Sequence, residues 1–152
     1  MLDLPAVLAL LDAHHVVHLA TAGEGGPHAT PLFFARVGES AALTWISAPH
    51  VLHSRHLAAD PAAAVSVGPS APPLGRIEGV QLRGRATAPH ELQAHLRDAY
   101  LARFPAARGM VERAADHHFW LFRPTWGRLV LTVAGASRNS EGTIPEGGQL
   151  DG

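Results

Sequence analysis

The stretch Ala42-Leu43-Thr44-Trp45-Ile46-Ser47-Ala48-Pro49-His50-Val51-Leu52-His53-Ser54-Arg55-His56 decides the reading of the chain. Its first part is rich in Leu, Thr, Trp and Ile and reads as a strand from Ala42 to Ser47. Pro49 and His50 turn the chain, and a short helix follows, ending near Asp60-Pro61. Ser47, Ser54, Arg55 and His56 therefore gather at one end of apolar elements. Unpaired amides at a helix start, serine hydroxyls and an arginine fork together suit a dianion such as a phosphate. The plainer alternative is that Ser54 caps the helix while Arg55 and His56 decorate its surface.

Upstream, residues 3–14 have helical spacing: Asp3 can cap, Pro5 suits the first turn, and Leu4, Val7, Leu8 and Leu11 share a face. His15 to Thr21 alternates as a strand, Gly23-Glu24-Gly25-Gly26-Pro27 is a turn, and a second strand runs from about His28 to Val37. Short connections make this an antiparallel meander. Downstream, Ala63 to Val67 is a strand, residues 68–75 are a Pro-rich loop, and Arg76 to Thr87 is a long strand. Gly79 and Gly84 inside it point to a bulge or a close backbone approach. Pro89 to Phe104 is the longest helix and Ala106 to Ala115 a shorter one. Two strands, 118–123 and 128–133, close the pattern. Residues 1–137 thus form one domain, and the polar, glycine-rich residues 138–152 read as a flexible tail. Six or seven mostly antiparallel strands with interspersed helices predict a β-barrel with flanking helices.

The composition narrows the chemistry. With 152 residues and 47% hydrophobic content, the chain can bury one substantial core. No apolar run reaches the ~18 residues that span a bilayer. No basic segment precedes the first apolar residues, so a cytoplasmic location is expected. A net charge of −1 without any basic run argues against nucleic acid as a partner. There is no cysteine, so disulfides, thiolate metal sites and a cysteine nucleophile are excluded. All 12 basic residues are arginine, which excludes lysine Schiff-base chemistry and a P-loop lysine and favours bidentate anion contacts. A GC-rich genome would give the same bias.

Candidate site residues are few. His53 and His56 have helical metal-ligand spacing, but no Asp, Glu or Cys completes a set, so no metal is expected. Among the 11 histidines any one could be an axial haem ligand, and the sequence selects none. Pro31, in Thr30-Pro31-Leu32, removes a ladder donor. That suits either an edge strand or a backbone that faces a flat heterocycle. Gln81 could reach a ring edge or a phosphate, or be an exposed strand residue. Trp126 lies in the apparent turn Pro124-Thr125-Trp126-Gly127. No hydrolase or dinucleotide motif occurs, and no catalytic acid or base is singled out.

The residues His15-Val16-Val17, Ser54-Arg55-His56, Ile77-Glu78-Gly79-Val80-Gln81-Leu82-Arg83-Gly84 and Tyr100-Leu101-Ala102-Arg103-Phe104-Pro105 occur in this order. Over about residues 3–134 the chain resembles the FMN-binding split-barrel superfamily that includes pyridoxamine 5′-phosphate oxidase. The resemblance implies a six-stranded split barrel, a homodimer, and FMN in a cleft between subunits. It implies a phosphate grip at Ser47, Ser54, Arg55 and His56, with the ring against Thr30, Pro31, Leu32 and Gln81. A flavoprotein oxidoreductase acting on a small molecule follows. Haem, a deazaflavin, or a non-enzymatic ligand-binding dimer are alternatives on the same fold. The chain departs from the oxidases at His56, where they carry lysine, and at Thr30, Leu32 and Phe34, where they place a basic residue. Their C-terminal substrate segment has no match, so pyridoxamine phosphate oxidation is not carried over.

Overall fold

A single residue, Phe34, joins the two ends of the sheet, and that connection forces the sheet to curl. The computed structural model describes residues 1–146. Its elements are α1 (Leu4–Ala13), β1 (Val16–Gly23), β2 (Gly26–Phe33), β3 (Ala35–Arg36), β4 (Leu43–Ser47), α2 (Leu52–Ala59), β5 (Ala62–Val67), β6 (Arg76–Thr87), α3 (Gln93–Arg103), α4 (Arg108–Arg113), β7 (His118–Val133) and β8 (Ala136–Thr143). The strand order is β2-β1-β5-β6-β7-β4-β3, with β8 on β7, and every pairing is antiparallel. β2 and β3 lie at opposite ends of this order yet are consecutive in the chain. The sheet must therefore bend into a barrel that stays split between them.

Alternation along the strands fills the barrel. Val17, Leu19, Val65, Val67, Val80, Leu82, Trp45, Trp120 and Phe122 face inward and are buried, and α1 closes the interior with Val7, Leu10 and Leu11. The opposite face of β7 carries Phe119 and Leu121, which with Ala42 just before β4 pack against Leu96, Tyr100 and Leu101 of α3. The two core layers share β7, whose successive residues point to opposite sides.

Arg103, at the end of α3, clamps the corner at Phe34. Its guanidinium donates to the carbonyls of Phe34 (3.1 Å), Leu11 (3.3 Å), Asp12 (3.1 Å) and His14. It satisfies the orphan carbonyls at the C-terminus of α1 and places a cation where the helix dipole favours one. Beside it, Arg36 Nε and Nη2 donate to the Asp12 carboxylate at 2.7 and 2.9 Å. That hydrogen bond holds the Asp12 carboxyl below its ordinary range.

The structure corrects the sequence reading in three places. There are eight strands rather than six: the second expected strand breaks at Phe34 into β2 and β3, and β8 was missed. The two final strands are one, because Pro124 to Gly127 is not a turn but a bulge within β7. There the register with β6 shifts between Arg83 and Gly84. Gly84 makes this possible, since a Cβ there would sit 2.0 Å from the Arg123 carbonyl oxygen. Residues 138–143, read as tail, form most of β8. Its polar side chains give no strand signal, but the ladder with β7 needs only backbone, and Ile144 beyond it is buried in the core. Residues 147–152 of the expected tail lie outside the described residues. No described helix is long and apolar enough to cross a membrane.

Replacing Arg103 by Ala should cost about 3 kcal/mol, since charge-assisted bonds contribute ~1.5–3 kcal/mol each and do not add fully. A thermal melt followed by circular dichroism should show a midpoint lowered by roughly 6–12 °C, with lysine restoring only part. An unchanged midpoint would contradict the clamp.

Candidate functional site

Helix α2 carries most of the residues expected to grip a phosphate, and it packs on the inner side of β1 and β2. His56 is its anchor, 2% exposed. Its Nε2 lies 2.7 Å from the Glu24 carbonyl oxygen, which can only accept, so Nε2 donates. Its Nδ1 is hydrogen-bonded to the Thr21 hydroxyl at 2.9 Å, the nitrogen accepting in the neutral ring. Both ring nitrogens are committed within the chain. Gly23 is required above the ring, because a Cβ there would meet His56 Cδ2 at 2.8 Å. His56 is thus a peg that fastens α2 to the β1–β2 turn, not a hand held out to a ligand.

Ser47 is also engaged: its Oγ lies 2.7 Å from Nε2 of the buried His53. Burial, with His28 and His56 nearby, pushes the His53 imidazole below its ordinary value. Ser54 is 1% exposed, and its Oγ has no hydrogen-bond partner. The N-cap, Val51, offers no side-chain bond, so the first-turn amides of α2 have no side-chain cap. Arg55 alone points outward. Its Nη1 donates to the His50 carbonyl at 2.6 Å, and its Nε lies 3.6 Å from the Glu24 carboxylate.

The outer face of the sheet carries a second feature. Two cross-strand rows run side by side. One reads Pro31, His18, Ser66, Gln81, Arg128, Glu141; the other reads Ala29, Ala20, Ala64, Arg83, Trp126, Thr143. The alanines make a shallow floor, and a cavity of about 510 Å³ opens over it. Arg83 stacks 3.9 Å from the Trp126 ring centroid. The Nε of Arg128 is buried without a hydrogen-bond partner and is ion-paired with the Glu141 carboxylate at 3.7 Å. The β7 bulge matters here: the extra residue, Thr125, turns Trp126 to the outer face beside Arg83.

The expected residues therefore fall into separate groups. Gln81 lines the outer groove and Pro31 shares its row, on β2, which is an edge strand as one reading of Pro31 required. Thr30 and Leu32 face the other side; Thr30 lies opposite the inward-facing Leu19, and Leu32 packs on the core. Ser47, Ser54 and His56 are buried with α2, and Arg55 is exposed beside them. Sequence reasoning missed His18, Ser66, Arg83 and Arg128, although the period-two spacing of Gln81 and Arg83 already placed them on one face. It also missed Glu24, the only residue of the Gly23–Gly26 turn with a side chain beyond hydrogen. Among the described residues no group of three or more His, Cys, Asp or Glu side chains could hold a metal ion.

His53 yields a pH prediction. Its folded-state affinity for a proton is lowered, while the unfolded chain protonates at the ordinary value of 6.5. The stabilising difference is complete above that value and is lost as the pH falls below it. The melting midpoint should therefore drop between pH 7.5 and 5.5, and His53→Gln should flatten that slope. An equally steep slope in the variant would contradict the assignment.

Comparison with known proteins bears on this geometry. The family model described as pyridoxamine 5′-phosphate oxidase matches residues 4–131. No curated protein matches the chain. Among solved structures, a haem-binding protein from Mycobacterium smegmatis is 31% identical, with a TM-score of 0.71 over 90% of this chain. The chain spans only 55% of that protein's length. An FAD-binding protein from Mesorhizobium loti is 24% identical with a TM-score of 0.61, covering 80% of this chain and 88% of that one. HutZ, the haem storage protein from Vibrio cholerae, is 17% identical with a TM-score of 0.68, covering 82% and 91%. The last two show likeness of fold alone. With its split barrel and a family match across most of its length, the chain belongs to the pyridoxamine 5′-phosphate oxidase family.

Proposed function

We propose that the chain is a homodimeric flavin-binding redox protein in which one FMN spans two copies. Its phosphate lies on Arg55 and the first-turn amides of α2 in one copy. Its ring lies along the alanine row and Gln81 in the other. One observation carries this reading: the two half-sites sit on opposite faces of β1. Thr21 faces inward to His56 of α2, whereas His18 and Ala20 face the outer groove. One small ligand cannot reach both halves of a single copy, so a second copy has to supply the missing half.

Further features support the reading. The groove volume of about 510 Å³ suits a ligand of this size. Alanine side chains let a flat ring or another sheet approach closely. Gln81 carries both donor and acceptor for a heterocycle edge. The buried Ser54 hydroxyl lacks a partner, an unfavourable state that a phosphate oxygen or water would relieve. Among the described residues β2 pairs only with β1, so the backbone around Thr30, Pro31 and Leu32 has an edge for further contacts. Bound FMN would supply the hydride chemistry; the chain's residues bind and orient it. The substrate is then a small molecule that reaches the exposed ring.

A haem reading has its own support. His18 offers an imidazole to iron, and Arg83 and Arg128 flank the same groove with guanidiniums for two carboxylates. The solved structure at 31% identity is described as haem-binding. A deazaflavin would use the same phosphate half-site as FMN.

The absorbance of the purified protein separates these readings. The flavin reading expects blue-region flavin absorbance, or a melting midpoint raised by added FMN. A Soret band would favour haem, and a colourless protein insensitive to excess FMN would end the flavin reading. Arg55→Ala should weaken FMN binding about 10- to 100-fold, the size of a lost charge-assisted bond, and leave riboflavin binding unchanged.

A further inference from the structure

The geometry points to Glu24 as a built-in competitor for the phosphate arm, one that keeps the bound flavin exchangeable and sets its charge requirement. This rests on the reading of Arg55 as a phosphate contact.

The turn Gly23-Glu24-Gly25-Gly26 contains three glycines and one carboxylate. Gly25 and Gly26 have φ of 82° and 95°, where glycine is favoured, and Gly23 has no room for a Cβ above His56. The backbone of the turn is therefore tightly specified. It is also fastened to α2, because the Glu24 carbonyl accepts from the buried His56 at 2.7 Å. The side chain this turn presents is the Glu24 carboxylate, 3.6 Å from Arg55 Nε on the same helix.

An exposed ion pair of this kind contributes little to stability. Its effect on a ligand is larger than its effect on the fold. A monoanion that displaces Glu24 from Arg55 exchanges one carboxylate contact for an equivalent one and gains almost nothing. A phosphate monoester, with about two charges near neutral pH, gains from the exchange. It then remains close to the displaced carboxylate, whose like charge speeds its release. His56 takes part indirectly: by turning inward to hold the Glu24 carbonyl, it brings the acid to the arm.

The test compares the full-length wild type with Glu24→Gln, using FMN, riboflavin and inorganic pyrophosphate as probes in calorimetry and stopped-flow dissociation. Glu24→Gln should bind FMN about three- to tenfold more tightly, chiefly through slower release, and bind pyrophosphate more tightly as well. Riboflavin, which lacks the phosphate, should not change. Equal or weaker FMN binding by Glu24→Gln, in a protein whose FMN binding still depends on Arg55, would overturn the role of Glu24 and leave the phosphate site standing. FMN binding that is insensitive to Arg55→Ala, or no binding of either anion by wild type and Glu24→Gln alike, would overturn both.

Discussion

The clamp of Arg103 on the corner at Phe34 is the constraint on which the barrel depends. A sheet whose first and last strands are consecutive in the chain has to bring its two ends together across one residue. The bend leaves the Phe34 carbonyl at the corner without a ladder partner, and the end of α1 beside it leaves its last carbonyls without helical ones. One guanidinium reaches all of them at once, and its planar fork suits several acceptors in a way an ammonium does not. It gives a physical reason for Tyr100-Leu101-Ala102-Arg103-Phe104-Pro105, one of the more distinctive motifs in the chain. Tyr100 and Leu101 bury α3 against β7, and Arg103 reaches across to α1 and the corner. Phe104 packs against Phe33 and His15. The motif concerns the architecture and touches neither half-site directly.

A second constraint acts at the other end of the barrel. His56 pegs α2 to the β1–β2 turn, and this fixes where Arg55 and the first-turn amides stand. A side chain that could have met a ligand holds the helix instead. Arg55, paired with Glu24, is the exposed cation left beside it. The outer groove gains nothing from α2, since β1 separates them. The functional reading therefore rests on completing each half-site with the other copy's complementary half.

Much of the fold was legible because alternation and helical spacing report burial directly. The inward residues of β1, β5 and β6 alternate cleanly, and Gly84 marked a close backbone approach before the bulge was visible. What stayed hidden were features carried by backbone alone. β8 is polar and looks like a tail because an edge ladder asks little of its side chains. Pro124 and Gly127 mimic a turn although the strand continues through them. The site was less legible than the fold. Ser47 lies against the helix that carries Ser54 and His56, but polarity does not tell whether a buried side chain faces a ligand or a neighbouring residue. Ser47 found His53, His56 found Thr21 and Glu24, and only Arg55 remained outside. His18, Arg83 and Arg128 lie far apart in sequence, and only the strand order brings them to one groove.

The central claim is that a single ligand site is shared between Arg55 of one copy and the Gln81 face of the other. Mixing two binding-deficient variants, Arg55→Ala and Gln81→Leu, after reversible dissociation tests it most directly. In a two-fold dimer each heterodimer regains one intact site and one doubly damaged site, so random reassortment should restore about one quarter of the wild-type FMN capacity. No restoration on mixing two folded, dimerising variants, or full binding by either variant alone, would contradict a site built from two copies.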